Sequence, residues 1–237
     1  MRTRQEIKAI GKERFKANYW NCVGACFLVM LAIGVISGLF SGGQTQAIMS
    51  GDESAMVSAS STSSIGSLVI AIISGPLEIG LGYFFIKNIL GAVDEINVGT
   101  PFVSAFSGNF GRKLGGYLWM ELFTFLWSLL LIIPGIIKSF SYALTPYILA
   151  DCPNVKAKDA LKLSMRIMAG KKWQLFVFCL SYIGWGLLSC LTLGILSIFY
   201  VSPYMNSSLA CWYLEAREDA LRNGVITMGQ LEGVEAV

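Results

Sequence analysis

The chain alternates between long runs that hold no charge and short runs that hold nearly all of it. Asp, Glu, Lys and Arg are absent from Ala17 to Gly51, from Ser54 to Leu77 and from Trp173 to Leu214. A membrane helix needs roughly 20 apolar residues to cross a hydrocarbon core of about 30 Å. The last run has 42 residues and as a single helix would be ~63 Å long. It must fold back, and Leu191-Thr192-Leu193-Gly194 is the expected turn. The same reasoning divides Leu114 to Ala150 at Pro134-Gly135, a strong turn signal. Six spans follow, over residues 20–40, 65–87, 114–133, 135–150, 173–191 and 194–214. Pro76 falls inside the second, where it should kink the helix without ending it. The predicted fold class is all-α: a polytopic bundle of six transmembrane helices in one integral membrane domain over 1–237.

The basic residues orient these spans. Arg2, Arg4, Lys8, Lys12, Arg14 and Lys16 precede the first. Lys87, Arg112 and Lys113 lie between the second and third, Lys156 to Lys172 between the fourth and fifth, and Arg217 and Arg222 after the sixth. With six spans all of these share one side, the cytoplasm, with both termini. The flanking segments are then a basic amphipathic stretch over 1–19, a flexible Ser-rich outer loop over 41–64, a basic amphipathic helix over 151–172 and a tail over 216–237. In the third of these, Lys158, Lys162 and Arg166 recur every four residues beside Leu161, Met165 and Met168. That pattern predicts a helix lying in the interface, with Lys158, Lys162, Arg166, Lys171 and Lys172 as a candidate surface for the anionic inner leaflet. Tyr19, Trp20, Tyr117, Trp119, Trp173 and Trp212 near span ends fit an aromatic belt.

Composition narrows the function. Apolar residues make up 54% and charged residues 14%, with a mean hydropathy of +0.61. These values argue against a disordered chain, a nucleic-acid-binding domain and an ordinary water-soluble enzyme. The chain has six Cys and no His. The cysteines fall mostly within spans, so they read as small hydrophobes and not as a disulfide framework. Without His there is no Ser-His-Asp triad, no HExxH zinc motif and no imidazole switch. No phosphate-binding glycine motif is present either. No cofactor is expected, and the chain reads as non-enzymatic.

Three ionisable residues fall inside spans, where each is costly and tends to face the bundle interior. Glu78 lies nine residues above Lys87 and Glu121 nine above Arg112, so the two carboxyls are expected at equal depth, about 13 Å in. Together they could share a proton or hold a cation, or they could be structural acids bonded to neighbouring polar groups. Lys138 lies near the opposite side, with Tyr142 one turn on. Tyr204 and Asn206 mark a polar stripe on the last span. Glu78, Glu121, Lys138, Tyr142, Tyr204 and Asn206 thus form a candidate intramembrane polar site. The chain also reads as one helical hairpin used three times. Trp127-Ser-Leu-Leu before the second turn matches Trp185-Gly-Leu-Leu before the third, and Pro76, Pro146 and Pro203 sit at comparable places on the return helices. Internal repeats of this kind are common in transporter folds.

The segment Trp127-Ser-Leu-Leu-Leu-Ile-Ile-Pro-Gly-Ile-Ile-Lys-Ser-Phe-Ser-Tyr142, then Pro146-Tyr-Ile-Leu-Ala-Asp151, then Gly170-Lys-Lys-Trp173, resembles an uncharacterised family of bacterial integral membrane proteins. The family is catalogued as a domain of unknown function, number nine hundred and seventy-five. The likeness runs from Asn18-Tyr19-Trp20 to Cys211-Trp-Tyr-Leu-Glu215. The family in turn is distantly similar to the membrane domain of some glycerophosphodiester phosphodiesterases, whose chemistry resides in a separate soluble domain. The resemblance implies a multi-pass protein of a bacterial cell membrane and carries over no catalytic residue. The function expected is a membrane-organising component that binds anionic lipids or a membrane-protein partner, and no nucleic acid. The alternative is a small proton- or ion-coupled permease built on Glu78 and Glu121.

Overall fold

The computed structural model describes the backbone of residues 1–50, 53–130, 132–235 and 237, and the side chains among these outside 40–65, 67–68, 71, 130 and 132. The described residues are all-helical and contain no strand. In chain order the helices are α1 (Arg4–Ala17), α2 (Tyr19–Ser50), α3 (Glu53–Leu90), α4 (Thr100–Phe106), α5 (Phe110–Leu130) and α6 (Ile132–Tyr142). There follow α7 (Thr145–Asp151), α8 (Ala157–Ile167), α9 (Lys172–Leu180), α10 (Ile183–Leu191), α11 (Ser202–Arg222) and α12 (Met228–Leu231).

Local chemistry sets the ends. Thr3 accepts from the Glu6 backbone while the Glu6 carboxylate reaches back to Thr3, a reciprocal cap that starts α1. The turn expected at 191–194 is present: Leu193 and Gly194 both adopt positive φ, 51° and 84°. Pro76 lies within an unbroken α3, as expected. Pro146 and Pro203 instead sit in the first turns of α7 and α11, where proline's missing N–H leaves nothing unpaired. The second and third hairpins therefore resemble each other more than either resembles the first.

Several expectations need correction. Residues 41–50 and 53–64, read as a flexible loop, have a helical backbone, with Gly51 and Asp52 outside the described residues. That stretch contains no proline to stop either helix. Pro134-Gly135 is not the reversal but the first turn of α6. The chain reverses before it, since a Cβ on Gly135 would lie 2.5 Å from Ser128 Oγ. The fourth expected span is two helices, α6 and α7, and the fifth is α9 and α10, parted at Ser181-Tyr182. The sixth opens with a π-helical turn over Ser197–Val201 before α11. The tail over 216–237 is partly helical, because α11 runs on to Arg222 and α12 follows.

Two described segments, Tyr19–Leu39 and Lys172–Leu191, are long and apolar enough to cross a membrane. Only 28% and 22% of their apolar windows are buried, so neither is the core helix of a packed interior.

The core lies elsewhere. Its largest fully buried side chains include Phe15 of α1, Phe84 and Phe85 of α3, Phe178 of α9 and Trp212 and Tyr213 of α11. Trp212 is thus a core residue and not a belt residue, whereas Trp20 and Trp173 are exposed. Helix α1 lies along α11. Arg2 Nη1 donates to Glu215 Oε1 at 2.8 Å, Ser207 Oγ donates to the Gly11 carbonyl at 2.8 Å, and Phe15 meets Tyr200 edge-on. The approach is close enough that a Cβ on Gly11 would lie 2.7 Å from Ser208 Oγ. A helix exposing Arg4, Lys12, Arg14 and Lys16 thus flanks the π-helical turn and α11 from Tyr200 to Glu215, much of the sequence read as the sixth span. Charged side chains exposed on α1 and hydrocarbon around α11 are incompatible at one height. The 194–214 segment is not among the two described segments long and apolar enough to cross a membrane.

Candidate functional site

The expected polar site separates into three groups. Glu78 on α3 and Glu121 on α5 lie near enough for their charges to interact, and the Tyr117 hydroxyl is hydrogen-bonded with the side chains of Glu78 and Ser74. Both carboxyl-bearing residues are exposed on the protein surface. Lys138 instead sits over aromatic faces, with Nζ 4.8 Å from the Trp127 ring centroid and 6.0 Å from that of Tyr142. Tyr204 belongs to an aromatic cluster with Tyr182 and Tyr200, at 5.4 and 5.7 Å between centroids. Asn206 Nδ2 turns to its own helix, donating to the Ser202 carbonyl at 2.9 Å. Equal spacing from the basic ends put the two glutamates at one depth but left open whether they face each other. It could not say which face of α6 carries Lys138, because a cation in apolar surroundings can pair with a ring as well as with a carboxylate.

The basic surface also divides. Helix α8 buries Ala160, Leu161, Leu163, Ser164 and Ile167, and Met168 is buried beyond its end. Ser164 Oγ donates to the Ser141 carbonyl at 2.8 Å. The apolar face expected to rest in lipid is therefore spent inside the protein, where helices α5, α6 and α7 cover it. On the opposite face Lys158, Lys162 and Arg166 are exposed. Lys158 Nζ lies 4.8 Å from the Trp119 ring centroid, Lys162 pairs with Asp159 at 3.3 Å, and Arg166 reaches Gln230 Oε1 at 3.4 Å. Lys172 is half-buried. Lys171 is a structural residue: its ammonium bonds Asp219 at 2.8 Å and the Ala216 carbonyl at 3.4 Å.

Asp219 is the centre of an inner clasp that sequence reading missed. Hydrogen bonds from Lys171 and from the N-terminal amine hold its carboxyl down at about 2. Arg217 pairs with Asp151, which also accepts from the Tyr213 hydroxyl at 2.8 Å. Burial pushes the neighbouring Cys152 thiol up to about 11. Arg112 caps the end of α7 by donating to the carbonyls of Leu149, Cys152 and Val155 at 2.7, 3.1 and 2.8 Å. Sequence reading took Arg112 only as a topology signal. The charge-rich ends of the helices were the one hint that these groups would meet.

Residues 129–220 match the family model described as "Protein of unknown function (DUF975)". That segment, less than half of the chain, is similar to the DUF975 family. It starts near the tip of the α5–α6 hairpin and ends within α11, so it includes α8, Asp151, Tyr213, Arg217 and Asp219. The DUF975 match does not extend to Asn18-Tyr19-Trp20, to Glu78 and Glu121 or to Arg112. No curated protein and no solved structure matches the chain.

Proposed function

We propose that this is a non-enzymatic bacterial membrane protein that holds a packed, basic layer against the cytoplasmic leaflet and binds its anionic lipids. The observation that carries the reading is how exposure sorts along the hairpins. Beyond Trp20, Leu118 and Ile183 the exposed residues are mainly apolar, including Leu39, Phe125, Leu129, Ile133, Leu187, Leu191 and Leu193. Below those points they include Lys12, Lys16, Lys158, Lys162 and Arg166. A monomer in water does not present so continuous an apolar surface.

The heights of the hairpins set their depth. From Ile183 to the turn at Leu193 is about 15 Å of helix, and from Leu118 to Leu130 about 20 Å. Neither reaches across a core of ~30 Å. In this reading the α2–α3 hairpin crosses the membrane, while the other two enter the inner leaflet and return. The termini and the basic layer remain cytoplasmic. A single cysteine at Leu193→Cys in a cysteine-free background tests this. An impermeant maleimide added to intact cells should leave it unlabelled, and should leave Lys158→Cys unlabelled until the cells are opened. Labelling of Leu193→Cys from outside would restore a full third crossing, and labelling of Lys158→Cys would overturn the orientation. For lipid binding, native mass spectrometry should show phosphatidylglycerol adducts exceeding phosphatidylcholine adducts. The variant Lys158→Gln/Lys162→Gln/Arg166→Gln should lose part of that excess.

The second reading, a proton- or ion-coupled permease, is favoured by the proximity of Glu78, Glu121 and Tyr117. The short hairpins weigh against it, since they leave only one helix pair to form a path. Proton-dependent flux in proteoliposomes that disappears in Glu78→Gln would establish it.

A further inference from the structure

A cavity of about 830 Å³ opens between α3, α4, α5 and α7 at the basic layer. Its lining includes Lys87, Arg112, Lys113, Glu95 and Asp151. Their pairing leaves an imbalance. Lys87 is matched by Glu95 at 2.8 Å, and Asp151 is occupied by Arg217 and Tyr213. Arg112 and Lys113 bond only to backbone carbonyls among the described residues: Arg112 to the end of α7, Lys113 to Ser104 and, at 3.1 Å, to Ser107. Carbonyls orient a cation without cancelling its charge, so among the described residues two positive charges stand in one half-buried cavity with no carboxylate paired to them. Arg112 Nε is buried and has no hydrogen-bond partner among the described residues. Burial, and then the neighbouring Arg112 charge, hold the Lys113 pKa below its usual value.

Topology alone does not require this arrangement. Bases on the cytoplasmic side orient a helix equally well when they are fully exposed. Here they occupy the first turn of α5, where no acid accompanies them and where the helix dipole disfavours cations. One edge of the cavity is apolar: Leu90 and Val103, both lining residues, are 58% and 68% exposed.

We propose that this cavity binds a phosphoryl group, supplied by the headgroup of an anionic phospholipid whose glycerol and acyl chains pass over Leu90 and Val103. Arg112 stays on its carbonyls and contributes charge, while Lys113 swings from the α4 carbonyls to the phosphoryl oxygens. The site rests on the membrane reading above but is separate from the exposed α8 face.

Native mass spectrometry of the full chain in detergent, titrated with phosphatidylglycerol or phosphatidylcholine, tests it. The wild type should hold one phosphatidylglycerol more tightly than the rest. Lys113→Gln should weaken that single adduct roughly tenfold, while Lys113→Arg retains it. Should Lys113→Gln fold poorly, Ser107→Trp at the rim keeps both charges and should displace the adduct by bulk. Inorganic phosphate and glycerol phosphate are the competing arms. Competition by either at its own low concentration keeps the phosphoryl site and assigns it to a free phosphate, whereas displacement only by lipid assigns it to a headgroup. A tight adduct unchanged in both Lys113→Gln and Ser107→Trp overturns the cavity site, even if the α8 triple variant still loses lipid. If phosphatidylglycerol is not preferred over phosphatidylcholine by any variant, both the cavity and the basic-layer reading fail.

Discussion

Helices α8 and α10 are of similar length and are built inside out relative to each other. Helix α8 buries Ala160, Leu163 and Ile167 and exposes Lys158, Lys162 and Arg166. Helix α10 exposes Leu187, Leu188 and Leu191 and buries Ser189 alone, whose hydroxyl bonds the Trp185 carbonyl at 2.9 Å. The same preference produces both arrangements, since apolar groups move away from water and polar groups seek partners. On the membrane reading proposed above, what differs is the medium outside each helix. On that reading, a boundary between water and hydrocarbon falls within 20 residues of chain, near the break at Ser181-Tyr182.

The contrast can be broken most sharply by truncating a residue from each side. Trp212→Ala removes a fully packed ring from the inner layer and should cost about 3–5 kcal/mol. Leu191→Ala, with its residue 81% exposed, should shift thermal unfolding little. Equal losses would mean that α10 packs against something besides lipid. Next in size is Leu187→Arg. In hydrocarbon it should cost about 3 kcal/mol of insertion, seen as reduced recovery in the membrane fraction, whereas at a water-exposed site the change should stay within about 0.5 kcal/mol. Third is Gly80→Ala on α3, whose new Cβ would lie 2.0 Å from the Pro101 carbonyl oxygen. Forcing α3 and α4 apart should cost about 1–3 kcal/mol, read as a lower unfolding temperature.

A smaller effect should appear in the inner layer with pH. The Asp219 carboxyl is lowered to about 2 by Lys171 and the N-terminal amine. Its contribution is therefore complete above the unfolded value near 4 and is lost as pH falls toward 2. Amide exchange along α1 should rise over that window in the wild type. In Asp219→Asn it should already be raised at neutral pH and vary little with acidification. Smallest is a reactivity contrast: buried Cys152, with its thiol raised to about 11, should resist maleimide at pH 7 in the folded protein.

Much of the fold could be read from sequence because hydrophobic runs and turn residues are local signals. The Leu193-Gly194 reversal and the continuity of α3 through Pro76 depend on residues adjacent along the chain, whereas equal depth left open whether Glu78 and Glu121 meet. What escaped depends on neighbours. The apolar side of α8 looks the same whether lipid or Leu144 and Ile148 covers it, so its burial in protein left no mark on its periodicity. Arg112 and Asp219 acquire their roles from carbonyls and amines brought in by other helices. On the proposed membrane reading, the depth of the hairpins is hidden for a different reason. A hairpin that crosses and returns and one that turns back midway leave their bases on the same face, so charge bias cannot separate them.

Leu193 sits at the end of its hairpin, 93% exposed and in a left-handed backbone conformation that suits glycine or asparagine better. Replacing it with Asn would relax the turn and remove a large greasy group in one step. Protein engineers seeking a better-behaved, more soluble version would choose that change early. On the membrane reading, they should expect a molecule that folds with less effort and holds the bilayer less firmly.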